Sequence, residues 1–259
     1  MTLFSTIIIN MKLEEYLEVI CEFLRDYLVK SHMDGYVLGV SGGVDSSVVA
    51  AILKKAVGKE KVHCIMIPIN SIPADLNDGL TLVNDLDLNY SIIDGSESFN
   101  KIIEQFDALN ISLDHSTKGN YKARMRMSIL YAYAQKHRYL VVGTDNKDES
   151  YIGYFTKYGD GGVDVLPIVH LTKGEVREIG RMLGVRSSLV ARVPSAGLYE
   201  GQTDEGELGF SYDECDDYLL GKEVRPEAKE RIEYWHRITE HKRAPIPSPE
   251  EFIRWNILK

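Results

Sequence analysis

An apolar pentapeptide, Tyr36-Val37-Leu38-Gly39-Val40, runs directly into Ser41-Gly42-Gly43-Val44-Asp45-Ser46, and a helical repeat follows at once. A strand that is apolar at successive positions has no wet face, so it belongs inside a sheet covered on both sides. The next residues place Val48, Val49, Ile52, Leu53 and Ala56 on one side of a helix over 45–57. The same alternation then recurs. Strands are expected over 62–69, 90–93 and 139–143, and helices over 74–86, 99–106 and 118–137, with a first helix over 12–31. This order implies an α/β fold: a doubly wound, mainly parallel sheet with helices on both faces, a Rossmann-like arrangement of three layers. Ligands in such folds bind outside the carboxyl ends of the strands, where the strand order reverses.

Bulk properties narrow the class. A chain of 259 residues can bury one sizeable core, and 44% hydrophobic with 27% charged residues is ordinary for a globular protein. We expect a single domain over 1–259, with 1–10 a possible extension ahead of Met11. The net charge of -9 speaks against nucleic acid as a partner. Cys21, Cys64 and Cys215 are far apart, which suits a reducing, cytoplasmic setting rather than a disulfide framework or a zinc site. No apolar run reaches the ~20 residues that cross a bilayer, so no membrane partner is expected. After residue 150 the pattern changes. A loop over 153–162 is rich in glycine and aromatics. A helix over 172–183 opens on Thr172 with Glu175 three residues on. The stretch 185–210 is long and irregular, and helices return over 211–220 and 226–242.

The strand-to-helix junction carries the chemistry. Helix N-termini present free N–H groups and the positive end of a dipole. Gly42 and Gly43 let a phosphate approach the backbone, and Ser41 and Ser46 add hydroxyl donors. Gly39, Val40, Ser41, Gly42, Gly43, Val44, Asp45 and Ser46 are therefore the expected phosphate contacts, with Asp45 at the rim where a carboxylate can hold magnesium. The bland alternative is a glycine turn with Asp45 capping the helix. The segment is not a Walker A loop, which ends in Gly-Lys-Ser/Thr, nor the three-glycine dinucleotide fingerprint.

The string SGGxDS resembles the signature of the PP-loop ATP pyrophosphatases, which implies cleavage of ATP between its α and β phosphates and makes Gly39 through Ser46 ATP contacts. Three further segments narrow the resemblance: Gly143-Thr144-Asp145 with Glu149, Phe155-Thr156-Lys157-Tyr158-Gly159-Asp160-Gly161-Gly162 with Asp164, and Pro194-Ser195-Ala196-Gly197 followed by Gln202-Thr203-Asp204-Glu205. Their order is similar to that of the NAD synthetases. The resemblance implies adenylylation of deamido-NAD by ATP and then amidation by ammonia. No amidase domain is expected, so free ammonia is the implied nitrogen donor. It implies Asp45 and Glu149 as magnesium ligands, Thr144, Lys173 and Ser195 as further ATP contacts, and Arg124, Lys157, Asp164, His241 and Lys242 as deamido-NAD contacts. Asp45, Lys173 and Asp164 form the implied catalytic set, with Asp160 or Asp164 helping to deprotonate ammonium, and the protein is expected to be a homodimer. Arg126, two residues from Arg124 on the same helix, faces elsewhere and is assigned a structural or dimer-face role. The alternatives are a different PP-loop ligase or thiolation enzyme, and a non-catalytic nucleotide sensor.

Overall fold

A computed structural model describes residues 11–192 and 204–252. Four parallel strands form its sheet: β1 (Gly35–Gly39), β2 (Val62–Met66), β3 (Asn89–Ile92) and β4 (Tyr139–Val142), in the order β3-β2-β1-β4. The register pairs Leu38 with Cys64 on one side of β1 and with Val142 on the other. The α/β architecture expected from the alternation is the one observed.

Residue parity divides the core. Tyr36 and Leu38 of β1, Cys64 and Met66 of β2, and Leu140 and Val142 of β4 face one hydrophobic cluster. Val37, Ile65 and Val141, each the alternate residue, face the other. The first face is covered by α1 (Leu13–Lys30), α2 (Val44–Val57) and α3 (Pro73–Asp85), and by α7 (Lys173–Met182) and α8 (Ser187–Val190) from the later chain. The opposite face is covered by α4 (Ser96–Ala108) and the long α5 (His115–His137). A strand side chain alternates direction with period two, so a run apolar at every position serves both layers. Complete burial of each such aliphatic side chain contributes about 1.5–3 kcal/mol.

A third, smaller cluster joins α6 (Lys147–Ile152), α9 (Asp204–Leu208), α10 (Tyr212–Leu219) and α11 (Pro226–Ile238) through Ile152, Leu208, Phe210, Cys215 and Ile232. The helix expected over 226–242 is broken. Thr239 turns its hydroxyl to the carbonyls of Trp235 at 2.6 Å and Ile152 at 2.9 Å, and a separate turn, α12 (Glu240–Arg243), follows. A threonine bonded back to the preceding turn bends a helix in this way. β2 ends at Met66 rather than at 69. Beyond it, Ile67 and Pro68 enter a connection whose carbonyls serve other partners, Arg126 and Gly95.

Candidate active site

The chain runs outward from β1 to β2 and β3, then returns to place β4 on the other flank of β1. The order reverses between these two strands, and the segments leaving their carboxyl ends face one cavity of about 500 Å³. Its wall includes Gly39, Val40, Ser41, Gly43, Val44, Asp45 and Ser46 from the β1–α2 junction. Gly143, Thr144, Asp145 and Glu149 come from the β4–α6 junction, and Gly153 through Thr156 with Gly159, Asp160 and Gly162 from the glycine-rich loop.

The junction is built to leave donors free. The first intrahelical bond of α2 runs from the Ser47 N–H to the Gly43 carbonyl at 3.1 Å. The N–H groups of Val44, Asp45 and Ser46 therefore have no acceptor within the helix, and Gly43 at the cap has no side chain to supply one. Ser46 Oγ instead braces the turn, donating to the Gly43 carbonyl at 3.1 Å and accepting from the Ser41 N–H at 3.3 Å. Gly42 alone of the loop turns away from the cavity. Its φ of +80° is open to glycine, and its carbonyl accepts a bond from Arg192 Nη1 at 3.0 Å.

Opposite these donors lies a charge cluster. Lys173 Nζ sits 2.7 Å from Asp45 Oδ2 and 2.8 Å from Glu149 Oε1, and the residue is 1% exposed. Burial alone would lower the lysine pKa, but the two carboxylates outweigh it and hold the ammonium charged above its ordinary value. Burial pushes the Glu149 carboxyl up to about 7; the Lys173 charge opposes that rise and the Asp45 charge adds to it. Glu149 is aimed by a capping box: Asn146 Oδ1 accepts its N–H at 3.0 Å, and Glu149 Oε2 accepts the Asn146 N–H at 3.3 Å. The Asn146 amide in turn donates to Asp45 Oδ1 at 3.0 Å. Asp145, 6% exposed at the cavity wall, is held well above the carboxylate range by burial and then by the charges of Asp160, Glu149 and Asp45.

The residues present fit a magnesium ion. Two carboxylates reach one cation, and magnesium is usually held by one or two carboxylates with substrate phosphates completing its shell. Among the described residues there is no group of three or more His, Cys, Asp or Glu side chains that would hold a metal by themselves.

Lys173 is the first residue of α7, capped by the expected Thr172–Glu175 box: Glu175 Oε2 accepts the Thr172 N–H at 2.8 Å. Two acids, the buried Asp148 and the half-buried Asp216, grip the same helix end. Asp148 Oδ2 accepts the Lys173 N–H at 2.6 Å, and Asp216 accepts the N–H groups of Lys173 and Gly174 at 3.1 and 2.8 Å. Burial, then the Asp216 charge, pushes Asp148 up to about 8. Its folded pKa thus exceeds the unfolded value, so the folded protein retains a proton that the unfolded chain has lost between about pH 4 and pH 8. Stability from this group falls as pH rises across that window. The thermal midpoint of the wild type should drop between pH 5 and pH 8. Asp148→Asn should flatten that slope, because the amide keeps an acceptor for Lys173 N–H and supplies a permanent donor toward Asp216. An unchanged slope in the variant would show that Asp148 is not the group responsible.

Other expected residues fall in several places. Thr144 and Lys242 line the cavity. Lys242 Nζ donates to the Gly153 and Phe155 carbonyls at 2.7 and 2.6 Å. Ser195 lies outside the described residues. Arg124, Lys157, Asp164 and His241 are not part of the cavity wall. Arg124 donates to the Lys157 carbonyl at 3.3 Å, and Lys157 Nζ to the His241 carbonyl at 2.6 Å, so these three form one outer chain. Asp164, expected in the catalytic set, has both oxygens engaged beside β4, with the Val141 N–H at 2.8 Å and the Tyr131 hydroxyl at 3.0 Å. Asp160 does line the cavity; its Oδ1 accepts the Thr156 N–H at 2.9 Å, and surrounding protein raises its carboxyl pKa although it is open to the cleft. Arg126, assigned a structural or dimer-face role, donates to the Ile67 carbonyl at 3.0 Å and also lines the cavity.

Several residues were missed. Arg192 ties the Gly42 carbonyl to Asp78 at 2.8 Å and to Asp75, and no local sequence pattern marks it. Asn146 carried a signal, since Asn146-x-x-Glu149 has the form of a capping box. Tyr154 and Tyr212 flank Asp204 near Glu149, and only the fold brings them there.

A family model described as NAD synthase matches residues 16–246. The chain is 44% identical to the NH(3)-dependent NAD(+) synthetase of Mesoplasma florum over 248 residues, 94% of this chain and 100% of that one. It is similar in structure to an NMN synthetase from Francisella tularensis, with a TM-score of 0.88, 37% identity and coverage of 93% and 100% of the two chains. It also resembles the NH3-dependent NAD synthetase of Campylobacter jejuni, with a TM-score of 0.76, 30% identity and the same coverage.

Proposed function

The chain belongs to the NAD synthase family, and from that premise we propose that it joins ammonia to the nicotinate carboxylate of deamido-NAD with ATP as co-substrate. The observation that carries this reading is the facing of two features across one cavity: free N–H groups at the start of α2, and the Asp45–Lys173–Glu149 cluster.

In the first step the nicotinate carboxylate attacks the α-phosphorus of ATP. Pyrophosphate leaves, and an acyl-adenylate forms. The N–H groups of Val44, Asp45 and Ser46 and the dipole of α2 hold the departing phosphates. The Lys173 ammonium supplies fixed positive charge where negative charge collects, without reorganisation at the moment of reaction. Asp45 and Glu149 would hold magnesium, which when bound neutralises phosphate charge. In the second step ammonia adds to the activated carbonyl and AMP leaves. No enzyme nucleophile is needed; positioning and electrostatics supply the acceleration. Asp160 is the group we assign to take a proton from ammonium, because it faces the cavity with a raised pKa while Asp164 is engaged elsewhere. Arg124, Lys157, Asp164, His241 and Lys242 are assigned to the dinucleotide, whose phosphates and carboxylate call for the fixed charges of Arg124, Lys157 and Lys242. We further propose a cytoplasmic homodimer. Among the described residues no helix is long and apolar enough to cross a membrane.

The test is NAD formation from deamido-NAD, ATP, magnesium and ammonium, with AMP and pyrophosphate released in step. Release of ADP, or turnover independent of ammonium, would sink the reading. The likeness to an NMN synthetase favours one second reading, in which the acceptor is a nicotinate mononucleotide and the chemistry is otherwise the same. Comparing kcat/KM for the two acceptors decides between them.

A further inference from the structure

Tyr212 opens α10 and is 1% exposed. Its ring lies beneath the Lys173 ammonium, 4.5 Å from ring centre to Nζ. Its hydroxyl stands 3.3 Å from Glu149 Oε1, the same oxygen that accepts from Lys173, and 3.1 Å from Asp204 Oδ2. One side chain therefore touches both members of the ion pair that faces the ligand cavity. A role in packing alone would require none of these polar contacts. We propose that Tyr212 is a positioning residue for Lys173 and Glu149, an inference that rests on the amide-forming reading above.

Lysine has four rotatable bonds in its side chain, and an ammonium is a compact point charge that loses much rotamer entropy when held. Lys173 also begins a helix, where the dipole repels a cation. Two carboxylates hold it from one side. The aromatic face holds it from another through the ring quadrupole and does not require a directed acceptor. An ammonium has three N–H donors, and among the described residues Nζ donates to two acceptors only, Asp45 and Glu149. The third is left for a phosphate oxygen. The phenol has a single proton, so it can donate to Glu149 or to Asp204 at one time. When it donates to Glu149 it holds that carboxylate without neutralising it.

Two variants separate the ring from the hydroxyl. Tyr212→Leu removes both; Tyr212→Phe restores the ring. The first measurement uses ligand-free protein and an amine-reactive reagent, with Lys173 modification followed by mass spectrometry. Lys242 is the internal control, since the carbonyls of Gly153 and Phe155 hold it without Tyr212. Lys173 should be labelled about tenfold faster in Tyr212→Leu than in wild type, should regain protection in Tyr212→Phe, and Lys242 should not change. In the second measurement kcat should fall about a hundredfold in Tyr212→Leu and about tenfold in Tyr212→Phe, with KM for the carboxylate acceptor within about twofold. Protection of Lys173 as complete in Tyr212→Leu as in wild type would overturn the assignment. So would equal loss of kcat in both variants in proportion to a lowered thermal midpoint. If wild-type protein makes no amide product, the functional reading fails, and the labelling result still decides whether Tyr212 holds Lys173.

Discussion

Lys173→Met should reduce kcat/KM about a thousandfold, the scale for removing one fixed charge or donor from a transition state. The same variant should be destabilised by about 3 kcal/mol when metal-free, because it leaves two half-buried carboxylates without their cation. The physical cause is the bridge itself, with Nζ within 2.8 Å of both Asp45 and Glu149, whose side chains are 16% and 15% exposed. A second substitution distinguishes charge from packing. In Lys173→Met/Asp45→Asn the uncompensated charge is halved, so part of the lost stability should return while activity stays low. Adding magnesium should raise the thermal midpoint of Lys173→Met more than that of wild type, since a divalent ion can replace the missing cation. A Lys173→Met protein with wild-type stability at all magnesium concentrations would refute the electrostatic account of the cluster.

Gly42→Ala should raise KM for ATP more than tenfold and lower the thermal midpoint, whereas Gly43→Ala should leave the midpoint nearly unchanged. At Gly42 the backbone has φ +80°, and an added Cβ would lie 2.7 Å from the Asp75 carbonyl and 2.9 Å from Arg192 Nη1. A non-glycine residue held in that region costs about 1–3 kcal/mol, before the displacement of Arg192 is counted. Arg192 fastens the turn to Asp75 and Asp78 of α3, so moving it re-aims the N–H groups that follow. At Gly43 φ is -80°, and among the described residues a Cβ would meet only Ser41 Oγ, at 3.3 Å. Thermal melts and ATP titrations of the two variants side by side check this. Equal effects at the two glycines would mean that the turn is not held as described.

The phosphate junction could be read early because it is local. Strand, glycine turn and helix occupy consecutive residues, and every free N–H follows from helix geometry alone. The capping box at Thr172 was legible for the same reason, and that at Asn146 carried the same form. Strand parity was legible too: Val37 and Leu38 sit next to each other yet feed opposite clusters. Where the residues after β4 and on α5 come to lie has another cause. Asp160 lies in the glycine-rich loop and Asp164 four residues on, just beyond it, and periodicity does not say which of them faces a cavity. Asp160 lines the cavity, whereas Asp164 pairs with the Val141 N–H and Tyr131, both far away in sequence. Helix spacing separates Arg126 from Arg124 but does not say what Arg126 meets. Its reach to Ile67 depends on how α5 lies across the sheet. The break at Thr239 needed the Ile152 carbonyl, 87 residues distant in sequence, to draw the hydroxyl inward.

The amino-acid order by itself determined the layered α/β class, the strand-to-helix turn with its unpaired donors, and the kinship carried by SGGxDS and the segments after β4. Each of these depends on neighbours in sequence, where covalent geometry and short-range sterics leave few options. Tertiary structure alone decided which charges meet. Asp45, Glu149, Lys173 and Tyr212 come from four separate helices, and their convergence depends on side-chain packing across the reversal between β1 and β4. Coulomb attraction, ring polarisation and loss of water act over a few ångströms in space, and no pattern along the chain encodes those distances.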